Sequence, residues 1–65
     1  MAILVEKRGE SGNIFFVLGS ALKEMRTRGI DGKKSDEMFK RVSNSKSYEK
    51  ALGIIGEYVK LIIVE

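Results

Sequence analysis

The residues best suited to chemistry in this chain form the polar segment Ser11-Gly12-Asn13, which directly precedes the apolar run 14–18. Hydroxyl and amide side chains are typical of helix N-termini, where the first backbone N–H groups have no partner within the helix. The same N–H groups and the positive end of the helix dipole bind phosphate or carboxylate. The segment therefore has two interpretations, a helix cap made by Asn13 or Ser11, or the entrance to an anion site.

An anion site also needs charge, and a nucleotide ligand needs a stacking surface. Lys7 and Arg8 lie just upstream of the segment, and an oligomer would bring further arginines from a neighbouring chain. The segment is too short for a P-loop, which requires a longer glycine loop with a Gly-Lys-Ser/Thr ending. Two tyrosines are candidates for stacking on a base. The predicted ligand-binding residues are Arg8, Ser11, Gly12, Asn13, Arg26, Arg28, Tyr48 and Tyr58.

The composition argues against catalysis. The chain contains no His and no Cys, which excludes the commonest general base, a thiol nucleophile and the usual zinc sites. Asp36 and Glu37 form an adjacent acid pair, but neighbours in a helix point in different directions, and acids favour the first turn of a helix. We therefore predict a protein that is not an enzyme, with no metal and no cofactor.

The net charge of +3 is mild, and it is concentrated between residues 23 and 34. The cations of this basic cluster are Lys23, Arg26, Arg28, Lys33 and Lys34. A solvated surface explains such a cluster, and an anionic partner, a nucleic acid or a nucleotide, is the alternative. No catalogued DNA- or RNA-binding signature is present, and the three phenylalanines have the spacing of core residues. Tyr48 also fits the inward face of a helix.

The elements that position these residues follow from periodicity and punctuation. The order is strand, helix, helix, helix, strand. Apolar positions at helical spacing predict a helix over 14–28 that stops at Gly29. Within it, Gly19-Ser20 predicts a close backbone approach, either inside the chain or at an oligomer axis or pocket wall. The other predicted elements are a strand over 2–5, a helix over 36–42 capped by Ser35, a helix from Tyr48 to near Gly53–Gly56 capped by Ser45 or Ser47, and a strand over 57–65.

The chain of 65 residues is predicted to be one α+β domain, residues 1–65, with three helices packed on a small sheet formed by the terminal strands. Two strands leave unpaired edges, and so small a core needs support. We expect a homodimer or higher oligomer whose terminal strands extend one sheet. The absence of a long apolar run and of a signal-peptide pattern predicts a cytoplasmic protein without a membrane span.

The pattern resembles a group of short, mostly uncharacterised bacteriophage proteins. The resemblance lies in the Gly12-Asn13 join before IFFVLGSALKEMRTRG, in Ser-Tyr-Glu-Lys-Ala-Leu at 47–52, and in Glu57-Tyr58-Val59. Small phage proteins of this character disarm host defences by binding an effector protein or a nucleotide signal. The resemblance implies a phage origin, a location in the host cytoplasm and a binding role.

Three functions follow as hypotheses. The leading one is a non-catalytic phage-type protein that sequesters an anionic nucleotide signal of bacterial immunity, such as a cyclic nucleotide. The alternative is a small inhibitor or adaptor that binds a host protein through an apolar patch around Phe15 and Phe16, and it predicts loss of binding in Phe16→Asp. The third is a nucleic-acid binder, whose affinity would fall steeply with salt.

Overall fold

A computed structural model describes residues 2–65 and confirms the predicted α+β class. The elements follow the predicted order, with one short 3-10 helix before the first α-helix. They are β1 (Ile3–Glu6), the 3-10 helix (Glu10–Gly12), α1 (Ile14–Thr27), α2 (Gly32–Ser43), α3 (Tyr48–Ile55) and β2 (Leu61–Val64). Among these residues no helix is both long enough and apolar enough to cross a membrane.

The two terminal strands pair in parallel, with Ile3 opposite Leu61 and Glu6 opposite Val64. Parallel strands need a long crossover connection, and here all three helices supply it. Val5 on the inner face is completely buried, because this face packs against the helices. The outer face carries three large apolar side chains, each about half exposed: Leu4, Ile62 and Val64. One apolar face of the sheet therefore has no cover within residues 2–65.

One hydrophobic core holds the strands and helices together. The buried side chains come from the inner stripes of the three helices, from β1 and from the turn before β2: Val5, Val17, Leu18, Ala21, Met25, Met38, Val42, Ala51, Leu52, Ile55 and Val59. The helical spacing predicted for α1 is confirmed, since its apolar positions pack in or against the core, and Tyr48 packs against the core from α3 as expected. The phenylalanines were expected to be core residues, and this is wrong for Phe39, whose side chain is 50% exposed.

Asn13 and Gly29 mark the two ends of α1, as the sequence predicted. The Asn13 side chain accepts a hydrogen bond from the N–H of Phe15, which has no partner within the helix. At the other end Gly29 has a φ of +71°, and the N–H of Ile30 donates to the carbonyl of Met25. This is a Schellman-type end, for which a glycine in the left-handed region is the usual residue.

Two predicted boundaries are wrong. The second helix begins at Gly32 rather than Asp36, because Asp31 accepts a hydrogen bond from the N–H of Lys33 and caps the helix one turn earlier than Ser35 would. The second strand begins at Leu61 rather than Glu57. The N–H groups of residues 57–59 donate to carbonyls of residues 54 and 55, so this segment continues the end of α3 as a turn. The cap of α3 is Ser47.

Candidate functional site

The polar side chains between β1 and α1 make hydrogen bonds within the chain. The Ser11 hydroxyl accepts from the N–H of Glu6 at 3.1 Å. The Asn13 side chain accepts from the N–H of Phe15 at 2.9 Å. We call residues 11–13 the junction. Asn13 is therefore the cap of α1, as one of the two interpretations predicted. Ser11, the other candidate for the cap, instead holds the end of β1.

Gly12 is buried and closes the junction against β1. A Cβ at this position would lie 2.3 Å from the Glu6 carbonyl oxygen and 2.7 Å from Lys7 Cα, so only glycine permits the approach. The Tyr48 hydroxyl donates to the Gly12 carbonyl and connects the start of α3 to the junction.

An ion pair also connects the turn after β1 to the start of α3. Lys7 Nζ lies 2.8 Å from a Glu49 carboxylate oxygen, and this hydrogen bond raises the pKa of Lys7.

One chain brings together only part of the predicted ligand-binding set. Arg8 is exposed in the turn beside the junction, and Tyr48 touches the junction directly. Arg26 and Arg28 lie at the opposite end of α1, about 20 Å along the helix axis from Asn13. These two arginines would reach the junction only from a neighbouring chain.

Tyr58 lies in a polar cluster between α2 and the turn before β2. The two terminal guanidinium nitrogens of Arg41 donate hydrogen bonds to the two carboxylate oxygens of Glu57, at 2.8 and 3.0 Å. One of these nitrogens, Nη1, also donates to the Tyr58 hydroxyl at 3.1 Å. The Tyr58 hydroxyl in turn donates to Glu37. The guanidinium carbon of Arg41 lies 5.8 Å from the centre of the Tyr58 ring. The cluster connects α2 to the segment after α3, far from the junction in the sequence.

The electrostatics of this cluster follow from its hydrogen bonds. The hydrogen bond from Arg41 holds the pKa of Glu57 below its usual value, because it stabilises the carboxylate. The pKa of Arg41 is raised, chiefly by the bond to Glu57. The pKa of Tyr58 is raised, chiefly because its hydroxyl donates to Glu37 and would lose that bond on ionisation. Tyr58 therefore has an assigned role in connecting elements of the fold.

An apolar cleft opens beside the start of α1, between α1, the end of α2 and the start of α3. Its volume is about 350 Å³. Its lining is Ile14, Phe15, Leu18, Phe39, Val42, Ser43, Ser45, Ser47, Tyr48 and Ala51. Phe15 is 79% exposed and Phe39 is 50% exposed. Two aromatic rings thus line the cleft with at least half of their surface in water.

Most of the polar groups of the cleft are already bonded. The Ser45 hydroxyl donates to the Val42 carbonyl, and the Ser47 hydroxyl accepts from the N–H of Lys50. Among residues 2–65 no charged residue lines the cleft. The exposed charged residues next to its lining in the sequence are four cations, Lys40, Arg41, Lys46 and Lys50, and one acid, Glu49. Arg41 is paired with Glu57 and Glu49 with Lys7, which leaves an excess of positive charge beside the cleft. The cleft is therefore suited to apolar side chains that are flanked by acids.

The apolar first turn of α1 was visible in the sequence, with two interpretations: core residues, or an apolar patch around Phe15 and Phe16 that faces a partner. The core expectation is wrong for Phe15, Phe16 and Phe39, which are all at least half exposed. Phe16 is 54% exposed and does not line the cleft, so Phe15 is the member of the pair that belongs to the cleft. The signal in the sequence was the aromatic pair at a helix start, where only Val17 and Leu18 could face the core.

Gly19 has no close neighbour among residues 2–65. A Cβ added at this position would meet none of their atoms within 4 Å, so the close approach of another backbone expected within the chain is wrong. Gly19 follows Phe15 by one helical turn and has no side chain, so it does not cover the Phe15 ring. The exposed surface of α1 next to the cleft therefore consists of the Phe15 ring and an adjacent position without a side chain.

The basic cluster, Lys23, Arg26, Arg28, Lys33 and Lys34, is exposed throughout. It spans the end of α1, the loop and the first turn of α2. Among residues 2–65 no three acidic side chains are grouped so that they could hold a metal ion. Comparison of the chain with protein-family models, with curated proteins and with solved structures gives no match.

Proposed function

We propose that this protein is a non-catalytic binding protein that docks an apolar segment of a partner protein in the cleft between Phe15 and Phe39. The observation that carries the proposal is the exposure of these two rings, 79% and 50%, both of which line one cleft of about 350 Å³. Burying a phenylalanine side chain contributes about 1.5–3 kcal/mol, and aromatic residues are enriched in interfaces. Two such rings supply the centre of a small interface.

The charges beside the cleft define the chemistry of the partner segment. Lys40 and Lys46 are exposed next to lining residues, and the lining itself contains no charge. A segment with two or three spaced apolar side chains and flanking Asp or Glu complements both features. Opposite charges at the rim accelerate association and select the partner, while the apolar centre supplies the affinity.

The anion-sequestering function predicted from the sequence is the competing proposal. It requires free polar groups at the junction, whereas the side chains of Ser11 and Asn13 already accept hydrogen bonds from Glu6 and Phe15. The phage origin and the anti-defence role are proposals from the resemblance. If they hold, the partner is a host protein, as in the second hypothesis from the sequence.

The test is selection of a random peptide library on the immobilised protein, followed by affinity measurement with the enriched peptides. We expect enrichment of peptides with spaced apolar residues flanked by acids. Phe15→Asp should weaken binding of these peptides at least about 30-fold, because it removes a ring that the bound peptide would bury and places a charge in the cleft.

The matched control is Phe16→Asp. The hypothesis from the sequence expected this variant to lose binding, but Phe16 does not line the cleft, so the affinity should change by less than about threefold. Equal losses in both variants, or no enriched sequence, would contradict the proposal. Calorimetric binding of a cyclic nucleotide that is lost in Arg8→Ala and Asn13→Ala, with the fold intact, would instead support the sequestering function.

A further inference from the structure

The two edges of the sheet are different. At the β1 edge the N–H of Glu6 donates to Ser11 and the Glu6 carbonyl accepts from the N–H of Gly9. Gly12 also packs against the Glu6 carbonyl. The loop after β1 therefore occupies the end of this edge and leaves little room for another strand.

The β2 edge is open. The N–H of Ile3 donates to the Lys60 carbonyl and the N–H of Lys7 donates to the Val64 carbonyl. The backbone N–H and C=O groups of the even-numbered residues of β2 therefore point towards β1. Because backbone groups alternate along a parallel strand, the N–H and C=O groups of Leu61 and Ile63 point to the other side. Within residues 2–65 these groups have no hydrogen-bond partner.

A groove runs beside this open edge. It lies between α3 and β2 and is lined by Glu49, Leu52, Gly53, Gly56, Glu57, Lys60, Leu61 and Ile63. A Cβ at Gly53 would meet nothing within 4 Å. The missing side chain on this helix leaves space next to the strand, so α3 does not block the approach of another backbone.

We propose that the open β2 edge pairs with β2 of a second copy of this chain, antiparallel about a two-fold axis. The unpartnered groups of Leu61 and Ile63 fix the register: Leu61 lies opposite the partner's Ile63, and Ile62 lies opposite the partner's Ile62. This register forms four new backbone hydrogen bonds and one sheet of order β1-β2-β2-β1. The proposal concerns a surface separate from the cleft and does not depend on the proposed function.

Charge favours a second copy in this orientation. Lys60 and Glu6 have the same side-chain parity as Ile62 and Leu4 and lie at opposite ends of the outer face. The two-fold axis brings Lys60 of each protomer to the end where the partner's Glu6 lies. A parallel arrangement would place the two lysines together. Between these charges β2 is entirely apolar, without the charged residue that usually protects an edge.

The first test is Ile63→Pro, measured by sedimentation equilibrium against the wild-type protein. Proline removes the N–H of residue 63, which faces the open edge, and leaves the bonds between β1 and β2 intact. Two intermolecular hydrogen bonds are lost in the symmetric pair, so the dimer dissociation constant should rise at least about 30-fold. Ile63→Ala removes the side chain but keeps the N–H, and should remain dimeric.

A second measurement uses the wild-type protein and does not depend on folding of the proline variant. In a mixed sample of labelled and unlabelled chains, an intermolecular nuclear Overhauser effect between the Hα atoms of Ile62 and the partner's Ile62 is expected. Directly opposite residues in a non-hydrogen-bonded pair have Cα atoms only about 4.5 Å apart. A monomer at millimolar concentration, or an oligomer without this signal, would overturn the proposal.

Discussion

The junction, residues 11–13, and the following turn and a half of α1 are adjacent in sequence and opposite in character. In the junction the polar side chains accept hydrogen bonds from within the chain, and Gly12 is buried against β1. In the first turns of α1, Phe15 and Phe16 are exposed, and Gly19 has no neighbour. The polar side chains of the junction thus stabilise the fold, whereas the apolar side chains at the start of α1 are available to a partner.

The difference teaches that residue type alone does not identify a binding surface. A hydroxyl or amide at a helix start has a local use, because it satisfies backbone N–H groups that lack helical partners. A phenylalanine has no such use when the helix face beneath it is already filled, as it is here by Val17 and Leu18. Exposed aromatic side chains therefore carry more information about partners than the capped polar residues before them.

Gly12→Ala should have the largest effect and tests the structural half of the comparison. The new Cβ would lie 2.3 Å from the Glu6 carbonyl oxygen, a contact that only a backbone shift relieves. We expect a loss of about 3 kcal/mol in the free energy of unfolding, measured by urea denaturation, which is the upper end of the usual cost of overpacking. Gly9→Ala is the control, since its Cβ would meet atoms only at 3.7 Å and should change stability little. Equal stability of the two variants would show that the junction is not closed.

Gly19→Ala should have a smaller effect of opposite sign. The added methyl meets no atom within 4 Å, and alanine is favoured over glycine in a helix interior by about 1 kcal/mol. The free energy of unfolding should therefore rise by about 1 kcal/mol. Gly32→Ala at the start of α2 is the control, since its Cβ also meets no atom within 4 Å and Gly32 does not line the groove beside β2, and it should not destabilise the fold. Destabilisation by Gly19→Ala alone would mean that another chain packs against α1 there.

Much of the fold could be predicted from local signals. Asn13 and Gly29 delimit α1, and the spacing of Tyr48, Ala51 and Ile55 indicates α3. The starts of α2 and β2 could not be predicted in the same way. Lys33 and Lys34 oppose the dipole in the first turn of α2, and only the Asp31 cap reveals that the helix begins before them. The β-rich segment from Glu57 instead extends the end of α3 by hydrogen bonds.

The candidate site was harder to predict than the fold. The aromatic pair Phe15 and Phe16 was visible in the sequence, but which ring faces the cleft depends on how α1 packs against α2 and α3. Phe39 joins the same cleft from another helix, and its distance in sequence gives no hint of this. The capping role of the junction, in contrast, rests on contacts between near neighbours and was one of the two interpretations available from the sequence.

The smallest expected effect concerns the exposed polar cluster around Arg41, which contrasts with the buried contact at Gly12. Arg41 lowers the pKa of Glu57, so this carboxylate stabilises the folded state at every pH above its ordinary, unfolded pKa. The stabilisation is lost as the pH falls through the lowered folded pKa. We expect Glu57→Gln to melt slightly below wild type at pH 7, and the difference to shrink as the pH is lowered through the folded pKa of Glu57.

Both partners are largely exposed, and exposed ion pairs contribute little to stability, so this difference should be well below that of Gly12→Ala. Glu57→Gln in an Arg41→Met background is the control and should show no pH-dependent gap, since the partner that lowers the pKa is absent. A gap that does not shrink as the pH falls would mean that the glutamine disturbs packing rather than charge. A gap larger than the loss in Gly12→Ala would reverse the comparison and make the polar cluster, not the junction, the main constraint on the fold.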